Sequence, residues 1–165
     1  MWRVLVMSDT HGNSANIEAA ITKTKTEIGM IHQVIHLGDI GSDARMLESL
    51  AGVPCYIVRG NTDYDNRLLA TNVIHVGSHL IFATHGHRYD VNYNLSALRY
   101  AAMENGCDIA MYGHTHKPFL DINEEDVTIL NPGSLSLPRQ EGREKTFAIL
   151  EIDDNDEMKF EFYTI

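Results

Sequence analysis

The sequence lacks any long hydrophobic run. No stretch approaches the roughly 20 apolar residues of a membrane-spanning helix. The short apolar run in MWRVLVMSDTHG passes straight into polar residues, without the longer apolar region and small-residue cleavage site of a secretory leader. It reads as a first strand, and a soluble, cytoplasmic protein is expected. Cysteine is scarce. Cys55 and Cys107 are far apart and match no metal-thiolate or redox spacing, so reduced thiols are expected and a disulfide scaffold is excluded. Positive charge is also scarce: 13 Lys and Arg stand against 23 Asp and Glu, a formal net charge of −10. Binding to nucleic acid draws its affinity from cations that neutralise phosphates. With no basic patch, extended nucleic acid is not an expected partner. An anionic substrate would need positive charge inside its site, and bound cations can provide it. There is no internal repeat, low-complexity tract or linker, and 165 residues suit one domain with a substantial core. A single domain over residues 1–165 is the expectation.

What is present alternates in period. Arg3 to Ser8, Gln33 to Leu37 and Cys55 to Val58 are apolar runs that predict buried strands. Between them, Asn13 to Ile28 carries Ile17, Ala20, Ile21, Thr24 and Ile28 at helical spacing, and Asp43 to Leu50 predicts a short helix. This β-α-β-α-β order implies parallel strands with helices packed on them. Val73 to Val76 and Leu80 to Ala83 flank Gly77-Ser78 as a hairpin. A helix over Leu95 to Glu104 stops at Asn105-Gly106, and a strand comes next over Asp108 to Tyr112. Four more strands are read at Phe119 to Ile122, Val127 to Leu130, Thr146 to Ile152 and Met158 to Tyr163. Two sheets packed face to face with helices outside account for the whole pattern. The exposed edge of the C-terminal sheet leaves a homo-oligomer open.

The informative residues stand just past the strand ends. Five strands run into Asp9-Thr10-His11, Gly38-Asp39, Arg59-Gly60-Asn61-Thr62-Asp63, His85-Gly86-His87 and Gly113-His114-Thr115-His116. Ligands of open α/β sheets bind beyond the carboxyl ends of the strands, so these segments are expected to converge. Asp, His and Asn without thiolate suit borderline divalent metals. A carboxylate such as Asp39 can bridge two ions with its two oxygens. Gly12, Gly38, Gly60, Gly86 and Gly113 recur beside these residues, where a tight turn or close backbone approach is needed. His36 reads as a core or supporting residue, and His32, His75 and His79 as surface or hairpin residues. Asn131 to Ser134 reads as a turn near the site.

Taken in order, D-x-H, G-D, G-N-x-D, H-G-H and G-H-T-H resemble the calcineurin-like metallophosphoesterase superfamily. The short length, GNTD, THGH and Asn131-Pro132-Gly133-Ser134 resemble its small YfcE-like phosphodiesterases, a group related to a retromer scaffold subunit. The resemblance implies a four-layer αββα sandwich and two divalent metal ions, manganese first, with nickel, iron and zinc sharing the ligands. It implies Asp9, His11, Asp39 and His116 around one ion, and Asp39, Asn61, His85 and His114 around the other. Catalysis would rest on Asp39, Asn61, His85 and His114, with a metal-bridging hydroxide attacking a small phosphodiester substrate. Arg59, Thr62, Asp63 and His87 are supporting or substrate-contacting candidates, Arg59 either pairing with phosphate or holding Asp63. Thr62 stands where many superfamily members carry a histidine that helps the leaving group. The resemblance leaves two alternatives: a protein-interaction scaffold that keeps the fold, and a phosphomonoesterase.

Overall fold

The computed structural model describes residues 1–42, 44–123 and 126–165. Asp43, where the second helix is expected to start, and Glu124 and Glu125 of the acidic stretch Asn123 to Asp126 lie outside the described residues. Ten strands form two mixed five-stranded sheets. The first contains β1 (Trp2–Met7), β2 (Gln33–His36), β3 (Cys55–Ile57), β9 (Thr146–Ile152) and β10 (Met158–Thr164), in the order β10-β9-β1-β2-β3. The second contains β4 (Thr71–Val76), β5 (His79–Thr84), β6 (Ile109–Met111), β7 (Pro118–Asp121) and β8 (Thr128–Pro132), in the order β4-β5-β6-β8-β7. In the second sheet a parallel centre, β5-β6-β8, is flanked by antiparallel β4 and β7; in the first, the parallel trio β1-β2-β3 runs to one edge and meets antiparallel β9 on its other side.

Alternation along the strands sets the layers. In β1, Val4 and Val6 face the second sheet, where they meet Ile81, Ala83, Ile109 and Met111. Leu5 and Met7 face the other way, onto Ile17, Ala20 and Ile21 of α1 (Ser14–Lys23) and Leu47 of α2 (Ala44–Ala51). With both faces covered, the strand reads as a continuous apolar run. On the far side, Phe82, Ala110 and Ile129 pack against Leu98 and Ala102 of α3 (Ser96–Glu104). The result is the four-layer αββα sandwich.

The long helix expected over Asn13 to Ile28 is α1 followed by a π-helical turn over Thr24–Ile28. Asn13 caps α1 by accepting from the Asn16 N–H at 3.1 Å. At the other end the Thr24 hydroxyl donates to the Ala20 carbonyl at 2.7 Å, a side-chain bond that competes with regular backbone pairing. Among the described residues, no helix is long and apolar enough to cross a membrane.

Candidate metal centre

The strand ends of both sheets meet at one place. The loop after β1 lies along the loop after β2: Asp9 N–H donates to Gly38 O at 3.0 Å, and His11 N–H to Asp39 O at 2.9 Å. From the second sheet, Gly113 N–H donates to His85 O at 3.1 Å. Asp9, His11, Asp39, His114 and His116 all hold positive φ, between 46° and 67°. That region is uncommon for residues with a Cβ, and such conformations cluster at functional sites. Glycine is required at two positions for space. A Cβ on Gly60 would overlap Asp39 Oδ1, and one on Gly113 would overlap Ser8 Oγ and lie 2.8 Å from Asp9 Oδ2.

The side chains converge with their acceptors inward. Asp9, Asp39, His85 and His116 are buried. His116 Nδ1 donates to the Leu137 carbonyl at 2.7 Å and His85 Nδ1 to the Leu37 carbonyl at 2.6 Å. In its neutral form each ring would turn a bare Nε2 toward the carboxylates. Asp9 Oδ1 lies 3.0 Å from His116 Nε2, 3.8 Å from His11 Nε2 and 3.9 Å from His85 Nε2. Although buried, it accepts no hydrogen bond among the described residues. His11 and His116 bring their Nε2 atoms to 3.4 Å. Asp39 Oδ2 lies 3.4 Å from His85 Nε2 and 4.0 Å from His11 Nε2. Two triads, Asp9-His11-His116 and Asp9-Asp39-His85, keep their ligand atoms within 4.8 Å of one another.

Lone pairs packed this closely repel unless positive charge sits among them. Burial alone would raise the Asp9 and Asp39 pKa values. The neighbouring His116, His85 and Ser8 for Asp9, and His85 and Thr62 for Asp39, more than offset it and hold both carboxyls below the usual range. For His85 burial acts downward, but Asp39 and Asp9 win and its pKa is raised. The site is thus a buried, acceptor-rich cradle, and its oxygen and imidazole donors fit divalent transition metals.

The structure brings most of the expected residues together. Asp9, His11, Asp39, His85 and His116 line the cradle. Asn61 joins through Oδ1, 3.0 Å from His85 Nε2. His114 is tied in through both backbone and ring: its N–H donates to Asp9 Oδ2 at 3.0 Å, its Nδ1 lies 3.1 Å from Asn61 Oδ1, and its Nε2 lies 3.1 Å from Asn92 Nδ2. With Asn92 donating to Nε2, the His114 proton is on Nδ1. Asp39 does not present two free oxygens, because Oδ1 accepts the Thr62 N–H at 2.9 Å; Oδ2 alone faces both ligand sets. The expected Arg59 to Asp63 link is replaced by other bonds. Arg59 donates to Asn66 Oδ1 at 3.1 Å, and Asp63 accepts the Gly60 and Gly41 N–H groups at 2.9 and 3.1 Å. Thr62 is exposed at the rim. His87 stands beside the centre, its ring centroid 5.4 Å from that of His85 and 6.1 Å from that of His114. His36 is buried and bonds Thr10 Oγ1 at 2.9 Å; burial pushes its pKa down to about 4, as expected of a supporting residue.

Several contributors escape a sequence reading. Ser8 donates to Asp9 Oδ2 at 2.5 Å, and Ser134 donates to the Asp9 carbonyl at 2.8 Å. Asn131 is buried at the end of β8. Its Nδ2 donates to Gly113 O at 2.9 Å and Thr115 Oγ1 at 3.0 Å, and its Oδ1 accepts from Gly133 N–H at 2.9 Å. It pins the loop that carries His114 and His116. Only the spacing of Asn131 to Ser134 signals this role; Ser8 and Asn92 carry no signal.

Known proteins resemble this chain along nearly its whole length. A structure of a predicted phosphoesterase from Streptococcus pneumoniae is 35% identical, with a TM-score of 0.83, covering 99% of this chain and 89% of that one. Phosphodiesterase YfcE of Escherichia coli is 29% identical over 175 residues, covering 93% of this chain and 89% of its own. A single-mutant Vps29 from Entamoeba histolytica superposes with a TM-score of 0.76 at 25% identity, over 99% of both chains. The sequence profile of the calcineurin-like phosphoesterase superfamily domain matches residues 2–155. With that match covering β1 through β9 and every residue of the cradle, the chain belongs to the calcineurin-like phosphoesterase superfamily.

Proposed function

We infer that the chain is a phosphodiesterase working through two divalent cations. The observation that carries this reading is Asp9 Oδ1: a buried carboxylate oxygen with no hydrogen bond among the described residues, ringed by imidazole nitrogens. Asp9, His11, Asp39 and His116 are assigned to one cation, and Asp39, Asn61, His85 and His114 to the other. Asp39 would serve both, with Oδ2 the oxygen left free of the Thr62 N–H. When bound, such a cation pair supplies a nucleophile at neutral pH and neutralises charge on the phosphoryl group. Manganese is the first candidate.

The chain's own residues set the geometry. The backbone carbonyls of Leu37 and Leu137 fix the tautomers of His85 and His116, and the Thr62 N–H fixes the rotation of Asp39. His114 would hold the second cation through its ring, which Asn61 and Asn92 contact at Nδ1 and Nε2. Thr62 provides no acid at the position where a histidine would assist. General acid catalysis contributes about 10²–10⁴-fold, so esters with easily expelled leaving groups are the favoured substrates. Likeness to proteins named phosphodiesterase supports diesters over monoesters.

Hydrolysis of bis(p-nitrophenyl) phosphate tests the reading. Exhaustively chelated protein is expected to lose the activity, and Mn²⁺ to restore it above the rate on p-nitrophenyl phosphate. Hydrolysis that persists unchanged through chelation overturns the metal mechanism. The Vps29 likeness favours a second reading, a protein-interaction scaffold that retains the fold. Bound Mn²⁺ without turnover of either ester is the result that would select it.

A further inference from the structure

We propose that a groove beside His114 selects the organic half of the substrate, and that it takes a phosphodiester carrying a second anionic group. This rests on the phosphodiesterase reading and names the substrate class of that site. The groove has a volume of about 410 Å³, and its lining includes Asn92, Tyr112, Thr115, Lys117, Phe119 and Arg139. It adjoins the metal centre. Asn92 touches His114 Nε2 at 3.1 Å, Thr115 lies between His114 and His116 in the chain, and the Arg139 N–H donates to His116 O at 3.0 Å.

Its described lining holds two cations and no carboxylate. Arg3, Lys23, Arg67, Arg99 and Lys159 are each paired with a carboxylate. The side chains of Lys117 and Arg139 are exposed and make no ion pair or hydrogen bond among the described residues. In a chain of net charge −10, two unpaired cations on one groove are a local excess of positive charge. Beside them Phe119 is 40% exposed and Tyr112 is buried, an apolar and aromatic surface suited to a sugar or a planar ring. The cavity on the opposite flank, lined by Thr62, Asp63, Tyr64 and Asp65, has no Lys or Arg among its described lining residues. An asymmetric diester is therefore oriented, with its second anion over Lys117 and Arg139 and its phosphoryl group over Asp39 and Asn61. Because both cations are exposed, the discrimination weakens as salt screens them.

Two aryl diesters that differ by one phosphate test this: p-nitrophenyl thymidine 5′-phosphate and its 3′-phosphorylated form. With Mn²⁺ at low salt, the wild-type protein is expected to favour the 3′-phosphorylated ester in kcat/KM by about 5- to 20-fold, the range of two modest charge pairs. In the double variant Lys117→Ala/Arg139→Ala that ratio should fall toward one through KM, and added salt should lower it in the wild-type protein. A wild-type ratio near one, or a ratio untouched by the double substitution, overturns the proposal. Calorimetry with thymidine 3′,5′-bisphosphate and thymidine 5′-monophosphate reads the groove without turnover. If neither ester is cleaved, the phosphodiesterase reading fails. The groove then stands only if the bisphosphate binds more tightly than the monophosphate and the double variant removes the difference, and falls otherwise.

Discussion

At Asp9, His11, Asp39, His114 and His116 a strained backbone coincides with a side chain of a type that can ligate a metal. Left-handed φ at such residues costs of order 1–3 kcal/mol each and persists only where surrounding structure imposes it. Here the imposing bonds come from far along the chain: Ser134 on Asp9, Asn131 on the loop carrying His114 and His116. The residue types at the strand ends were legible in the sequence because each comes directly after an apolar run. The supporting atoms were not, since Ser8, Asn92 and the Leu37 and Leu137 carbonyls look like any others until folding joins them. Gly113 gives a test at this scale. Its φ lies outside the left-handed region, so alanine is resisted there by space alone: the new Cβ would overlap Ser8 Oγ and crowd Asp9 Oδ2. Gly113→Ala should weaken Mn²⁺ affinity about 10–100-fold, the usual cost of disturbing the partners that orient a ligand, with the far-UV circular dichroism retained. Wild-type affinity would mean that the loop yields without moving Asp9.

The strands were legible as elements wherever both faces are apolar, as in β1 and β9, which pack on opposite layers through alternate residues. Element ends were less legible. Asn131 and Pro132 read as turn residues, yet β8 continues through them to pair with Phe119 and Pro118 of β7, because the Asn131 side chain finds buried partners. At the opposite edge, β10 uses both faces: Met158 and Phe160 pack into the space between the sheets, while Tyr163 stacks on Phe147 at 5.6 Å. His79, expected to be an ordinary hairpin residue, clasps the two sheets. Its ring meets Asp108 at the start of β6, and Asp156 in the β9-β10 turn lies 3.7 Å away. Burial acts to lower its pKa, but Asp108 and Asp156 prevail and raise it. A raised histidine contributes its full stability below the unfolded value of about 6.5 and loses it as pH rises through the folded value. The stability difference between wild-type and His79→Gln protein, read from urea midpoints, should be largest below about pH 6.5 and shrink as pH rises through the raised folded value. A difference that grows with pH would contradict this clasp.

For the whole molecule, the two sheets place their strand ends against each other at one rim. Asp9, His11, Asp39 and Asn61 come from the first sheet, and His85, His114 and His116 from the second. Ions bound there would join the sheets as well as serve chemistry, and ligands that bind only the folded state stabilise it in proportion to the logarithm of their concentration over Kd. The most direct test of the account is Mn²⁺ stoichiometry by calorimetry on the chelated protein, beside Asp39→Asn. Two ions per wild-type chain, with binding reduced in the variant that loses the bridging carboxylate, is the predicted result. A wild-type chain that takes up no divalent cation would contradict it.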